Sequence, residues 1–240
     1  MNIKLIASDP VAELKVYSAA RGCYSNEDSY STFQYNLFSD KDKIGKFIRG
    51  IVLSGHESVL EHAVFTFSIE GISRSCSHQL VRHRIASFSQ QSQRYVEFDG
   101  DCELDNLFVV PPSIQAQPSL KGKFISACLD TLEVYDELRR ALVDSGSTSE
   151  QAQEDARFIL PNGAKTNITL TMNARELRHF FNQRMCKRSQ WEIRELANKM
   201  HDILVPLYPN LFFKCGPNCV IDKCKEGKHS CGQPFQNQIS

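Results

Sequence analysis

Ile44, Phe47, Ile48, Ile51 and Val52 recur at helical spacing and stop before Gly55. That stripe predicts an amphipathic helix closed by the glycine. Residues 166–172 (Thr-Asn-Ile-Thr-Leu-Thr-Met) alternate polar and apolar, and residues 62–72 do the same around Val64, Phe65, Phe67 and Ile69. Both segments predict strands, and residues 3–6 predict a third, short one. Ser8-Asp9-Pro10 pairs a capping side chain with an early proline, so a helix should run from there to about Arg21. Residues 24–40, rich in Ser, Asn and Asp, read as loop. Residues 73–84 predict a helix that stops near a basic triplet. Residues 95–110 are expected to hold short strands closed by Pro111-Pro112. Residues 120–143 predict a long helix with Leu129, Leu132, Leu138 and Leu142 along one side, ended by Gly146. Thr148 or Ser149 then caps a helix reaching Leu160, before a turn at Pro161-Asn162-Gly163. Two further helices are expected over about 174–185 and 189–204. The pattern as a whole describes one α+β domain over residues 1–213 and a Cys-rich tail over 214–240.

Composition narrows the function classes. Lys plus Arg and Asp plus Glu both number 28. A balanced chain is a poor general binder of nucleic acid, which needs a net basic surface, so no nucleic-acid partner is expected and any basic site must be local. No apolar run reaches the roughly 18–20 residues of a membrane span, and residues 1–6 lack the basic start and apolar stretch of a secretion signal. The expectation is a cytoplasmic protein without a membrane partner. Nine cysteines, in a reducing compartment, read as thiols or metal ligands before disulfides.

Arg82-His83-Arg84 sets two guanidinium groups and an imidazole on consecutive residues. Consecutive helical residues point about 100° apart, so the triplet surrounds one ligand only from a helix end or a loop. The planar fork of Arg suits phosphate. The polar run Ser87, Ser89, Gln90, Gln91, Ser92, Gln93 and Arg94 offers further donors. From residue types alone three readings stand: a solvated basic turn, an anion site of a nucleotide or flavin enzyme, and a nucleic-acid or regulatory module with a zinc tail.

The order Arg82, His83, Arg84, Ser87, Ser92, Arg94, Tyr95 is similar to the signature of the flavin-dependent thymidylate synthases. Gly55-His56-Glu57-Ser58 with Glu61-His62, Ala156-Arg157 through Leu160-Pro161, and Asn173-Ala174-Arg175 through Trp191-Glu192 resemble further blocks of the same family. The resemblance covers roughly residues 15–205. It implies a mixed sheet with helices on both sides and a homotetramer whose active sites are shared between subunits. It also implies the reductive methylation of dUMP to dTMP, with carbon from 5,10-methylenetetrahydrofolate and electrons from NADPH carried by FAD.

Residue by residue, the resemblance implies FAD contacts for His56, Ser58, Arg82, His83, Arg84, Ile85, Gln90, Asn173, Arg175 and His179. It implies dUMP contacts for Gln79, Arg82, Gln90, Gln91, Ser92, Arg94, Arg157 and Arg184. Arg184 would be the catalytic group, a permanent cation that stabilises charge developing on the uracil ring. No cysteine is placed to attack that ring: Cys76 and Cys186 flank the motifs. Three positions depart from the family pattern. His179 stands where an Asn is common, Gln90 where a Glu is common, and Cys23 where some members carry a phosphate-binding Ser.

Cys215, Cys219, Cys224 and Cys231 lie outside the signature, with His229 nearby. Four soft ligands can make a tetrahedral zinc site. Paired Cys-x-x-Cys spacing is missing, so free thiols or a disulfide are the main reading, with no metal required by the enzyme hypothesis.

Overall fold

Strand β1 (Asn2–Ser8) leads into α1 (Ala12–Gly22) through Asp9, whose carboxylate accepts from the Val11 N–H at 2.8 Å. The computed structural model of the chain describes residues 1–98 and 107–235. After α1 come α2 (Ser29–Asn36), α3 (Lys41–Ser54) and a 3₁₀ segment over Glu57–His62. β2 (Val64–Ser73), α4 (Arg74–Leu80) and β3 (Ala86–Gln90) follow. Next are α5 (Pro112–Gln115), α6 (Pro118–Asp144), α7 (Ser149–Ala156) and a 3₁₀ turn over Arg157–Ile159. β4 (Lys165–Asn173), α8 (Ala174–Arg184), α9 (Trp191–Leu207), α10 (Asn218–Ile221) and a 3₁₀ turn over Gly227–His229 complete the described residues.

The strands form a small antiparallel sheet flanked by helices, in the order β1-β2-β4-β3. This is the α+β class expected from the sequence. Phe65, Phe67 and Ile69 of β2 and Thr166, Ile168, Leu170 and Met172 of β4 are buried, the period of two that a half-buried strand requires. The chain divides into two compact units. The first comprises Met1–Asn2, Ile69–Val81 and Ser89–Ile168; the second comprises Ile3–Ser68, Arg82–Phe88 and Thr169–Ser240, so residues 214–235 belong to it.

In the first unit, Leu107, Phe108, Cys128, Leu132 and Ala164 form a core packed by Phe98, Phe124 and Leu160. In the second, Phe65 meets Tyr208 and Phe212 at ring-centroid distances of 5.0 and 5.6 Å, and Phe181 meets Phe212 at 6.0 Å. The Tyr208 hydroxyl donates to Ser8 Oγ at 2.9 Å, which anchors the end of α9 on the start of the chain.

Several expectations are corrected. Residues 24–40 are not all loop, because Asp28 caps α2 by accepting from the Ser31 N–H at 2.9 Å and the Ser31 hydroxyl at 2.7 Å. Thr32 is the one α2 side chain that is buried, so no apolar stripe announces the helix. In α6 the inward face is Cys128, Leu132 and Tyr135, while Leu129 and Leu138 face outward at 42% and 43% exposure. The helix begun by Thr148 ends at Ala156 rather than Leu160. Ala86–Gln90, read as part of a polar run, is a strand. In residues 95–110, the Val96 N–H closes a turn on the Ser92 carbonyl and Phe108 bridges Ala164; the remainder of that expectation, over 99–106, lies outside the described residues.

Candidate functional site

The basic triplet is released from its helix. Ser73 caps α4 by accepting from the Cys76 N–H at 2.9 Å, the helix stops at Leu80, and a turn over residues 81–82 leads into the segment 83–85 that precedes β3. Arg82 and Arg84 are exposed, while His83 turns inward at 5% exposure. Among the described residues neither guanidinium has a hydrogen-bond partner.

His83 is held at both ring nitrogens. Nδ1 lies 3.1 Å from Glu176 Oε1, and Nε2 accepts from the Arg184 Nε–H at 3.1 Å. Burial first, then the Arg184 and His179 charges, lower the pKa of His83 to about 4. At neutral pH the ring is therefore uncharged, and its contact with Glu176 is a hydrogen bond rather than an ion pair. Burial also pushes the Glu176 carboxyl up. Arg184, the last residue of α8, spends one nitrogen on His83; among the described residues its two terminal nitrogens have no protein partner.

A cleft of about 560 Å³ lies beside α8, lined in part by Ile85, Asn173, Arg175, Glu176 and His179. Asn173 caps α8, its side-chain oxygen accepting from the Glu176 N–H at 2.8 Å, which leaves its amide N–H groups for a ligand. Arg175 pairs with Glu61 at 2.5 Å. His179 Nε2 lies 2.8 Å from the Gln183 amide nitrogen; that nitrogen only donates, so His179 accepts there. His56 and Ser58 are exposed, at the entrance to and within the segment Glu57–His62.

Arg178 is a residue that the sequence reading missed. Its Nε donates to Glu57 at 2.9 Å, and Nη1 donates to the carbonyls of Leu211 and Phe213, both at 3.0 Å. The signal was present: Ala174, Leu177, Arg178 and Phe181 form one helical stripe, so a charged residue sits on a core-facing row. Asn182 likewise ties Gly216 O and Asn218 Oδ1 at 3.1 and 3.0 Å.

The remaining candidates lie in the first unit. Gln79 is half-buried on α4. The Gln90 amide donates to Ser77 Oγ at 3.0 Å and to Thr166 Oγ1 at 3.3 Å, contacts a charged Glu could not donate. Gln91 pairs through its backbone, its N–H with Asn167 O at 2.9 Å and its carbonyl with Arg74 at 2.8 Å. Ser92 Oγ accepts from the Arg94 N–H at 3.2 Å. Arg94 is clamped by Glu150 and Glu154, each at 3.0 Å. Arg157 donates through Nε to the Glu154 carbonyl at 3.1 Å, not to its carboxylate. Arg74 is a second missed residue. Burial and the neighbouring Arg157 charge lower its pKa, and two mutually repelling guanidinium groups favour an anion between them.

In the tail, burial raises the Cys215 thiol to about 12, and Cys219 Sγ accepts from the Phe235 N–H at 3.4 Å. Among the described residues no group of three or more His, Cys, Asp or Glu side chains is disposed to hold a metal ion.

Residues 4–210 match the family model described as "Thymidylate synthase complementing protein". The flavin-dependent thymidylate synthase of Geobacter sulfurreducens is 48% identical over 233 residues, 97% of this chain and 94% of the relative. The chain belongs to the family of flavin-dependent thymidylate synthases. Another member, from Clostridium tetani, is 42% identical over 97% of this chain and 94% of its own length. Among solved structures, that of the Helicobacter pylori flavin-dependent thymidylate synthase ThyX complexed with FAD and dUMP matches with a TM-score of 0.68 at 25% identity, covering 90% of this chain and 100% of the other. The UMP/dUMP methylase PolB from Streptomyces cacaoi, bound with 5-Br dUMP, matches with a TM-score of 0.72 at 25% identity, covering 90% and 95%.

Proposed function

We propose that this chain is an FAD-dependent thymidylate synthase that converts dUMP to dTMP. In the balanced reaction, dUMP, 5,10-methylenetetrahydrofolate, NADPH and a proton give dTMP, tetrahydrofolate and NADP⁺. The carrying observation is the second unit's cleft, lined by Asn173, Arg175 and His179, in a chain of this family. Its volume falls in the ligand-sized range of roughly 300–1,000 Å³. The donor set fits the cofactor: Arg82 and Arg84 present unpaired guanidinium groups for phosphate, and the Asn173 amide suits the polar edge of a flavin ring. FAD, when bound, supplies the redox chemistry; the protein supplies position and electrostatics.

Arg184 is the catalytic cation in this reading. A permanent positive charge beside the uracil ring stabilises the negative charge that makes its C5 nucleophilic, and no cysteine attack is needed. In the first unit, Gln79, Gln90, Gln91, Ser92, Arg94 and Arg157 would hold dUMP, joined by Arg74 at the phosphate. His56, Ser58, Ile85 and His83 complete the FAD set; because the His83 ring is engaged within the protein, its contact is through backbone.

We assign the working form as a homotetramer with sites shared between subunits, located in the cytoplasm, with residues 1–213 as the synthase domain and 214–240 as a tail. Among the described residues no helix is long and apolar enough to cross a membrane. The deciding experiment is purification of the protein followed by anaerobic assay. Bound flavin, NADPH oxidation stimulated by dUMP and folate-dependent dTMP formation are expected, with UMP as the comparison substrate. A colourless protein that makes no dTMP with added FAD would reject the proposal.

A further inference from the structure

We propose that Glu176 is a positioning residue that aims Arg184 by fixing the tautomer of His83. The inference rests on the reading of Arg184 as the catalytic cation and concerns what holds that cation in place.

Donor and acceptor chemistry fixes the His83 tautomer. An Arg Nε carries a proton and can only donate. Its 3.1 Å contact with His83 Nε2 therefore requires a lone pair on that nitrogen. The ring is neutral, so its one proton resides on Nδ1, and Nδ1–H donates to Glu176 Oε1 at 3.1 Å. Glu176 accepts from one side so that His83 can accept on the other. The opposite tautomer would set two N–H groups against each other at Arg184 and leave the Glu176 oxygen facing a lone pair. Each mismatch is costly in a buried site.

Rotation gives no escape. The Phe180 ring packs on His83 edge-on at 4.9 Å with an 87° interplanar angle, and His83 is almost wholly enclosed. The Glu176 side chain is equally confined, at 6% exposure. Glu176, Phe180 and Arg184 all sit on α8 at helical spacing, so one helix carries the acceptor, the packing wall and the aimed cation. His83 enters among them from the segment between α4 and β3. The imidazole acts as a strut: it pins the guanidinium at Nε and leaves the terminal nitrogens for the substrate. A carboxylate that orients an imidazole by its tautomer is established logic in other sites.

The test uses the flavin-loaded enzyme. In wild type labelled with ¹⁵N-histidine, the His83 ring, assigned by its loss in His83→Gln, should be the neutral Nδ1–H tautomer at neutral pH. In Glu176→Leu the Nε2–H form should appear, and kcat per bound flavin should fall roughly 10- to 100-fold, the scale expected when a catalytic group shifts by about 1 Å. Glu176→Gln, whose side-chain oxygen can still accept from Nδ1–H, should restore most of that rate. A purely structural role would lower flavin content or thermal stability and leave kcat per bound flavin unchanged; that result overturns the proposal. An Nε2–H or doubly protonated His83 in wild type overturns it as well. If instead Arg184→Ala retains full turnover, the catalytic reading of Arg184 fails while the tautomer measurement stands, so the two failures are distinguishable. Should Glu176→Leu not fold, the wild-type tautomer and the Glu176→Gln rate still decide.

Discussion

Arg184 donates its Nε–H to Nε2 of His83 at 3.1 Å, so the guanidinium is anchored on its stem side and its fork is free. In the reading of Arg184 as the catalytic cation, truncating it removes that charge and leaves the fold intact. Arg184→Ala is expected to lower kcat and kcat/KM for dUMP together by about 10²–10³, the size of a lost charge-stabilising donor. Flavin content should stay near that of wild type. Turnover and flavin absorbance on one preparation check both.

His83 makes stability depend on pH. Its folded pKa of about 4 lies below the ordinary 6.5, so the unfolded chain binds this proton more readily. Stability is then full above about pH 6.5 and is lost as pH falls towards 4, by roughly 3 kcal/mol from this group. Half-buried His201, also shifted down by desolvation, acts in the same direction; Glu176, shifted up, opposes it. Urea midpoints between pH 4 and 7 should fall with acid in wild type and fall less in His83→Gln.

Arg157 and Arg74 are expected to govern the nucleotide rather than the flavin. Arg157→Gln should weaken dUMP binding about 10-fold or more, the equivalent of one charge-assisted hydrogen bond. Flavin content should be unchanged. Titration of dUMP into the flavin-loaded protein reads the difference.

Arg178 serves the fold. Replacing it by Leu leaves Glu57 and the carbonyls of Leu211 and Phe213 without their donor. A loss on the order of 3 kcal/mol is expected, visible in the denaturant midpoint. Limited proteolysis should cut sooner near residues 211–216.

The cysteines should divide by exposure. Cys23 and Cys231 are exposed, while Cys76, Cys128 and Cys215 are buried, and burial raises the Cys128 and Cys215 thiols. Since the thiolate is the reactive form, iodoacetamide should label Cys23 and Cys231 in the native protein and the buried three only after unfolding. Mass spectrometry locates the labels.

Sequence pattern was sufficient wherever one residue's environment is set by its near neighbours. Gly55 takes φ +77° at the end of α3, Thr148 and Gln151 form the capping box of α7, and β4 alternates as expected, because caps and strand periods are local properties of the chain. The α2 helix escaped for the converse reason. Asp28 supports it by a single cap, with no buried stripe to betray its period.

The chain's own order of residues determined the family and the pool of candidate groups, since the signature from Arg82 to Tyr95 is a linear property. What each group does with its hydrogen bonds was decided by contacts between residues far apart in sequence. His83 and Glu176 are separated by 93 positions, His83 and Arg184 by 101, and Arg178 reaches Leu211 and Phe213 across a turn of the fold. Burial is a tertiary property: it converts His83 from one more cation in a basic triplet into a neutral strut. It also leaves Arg82 and Arg84, its immediate neighbours, free at the surface.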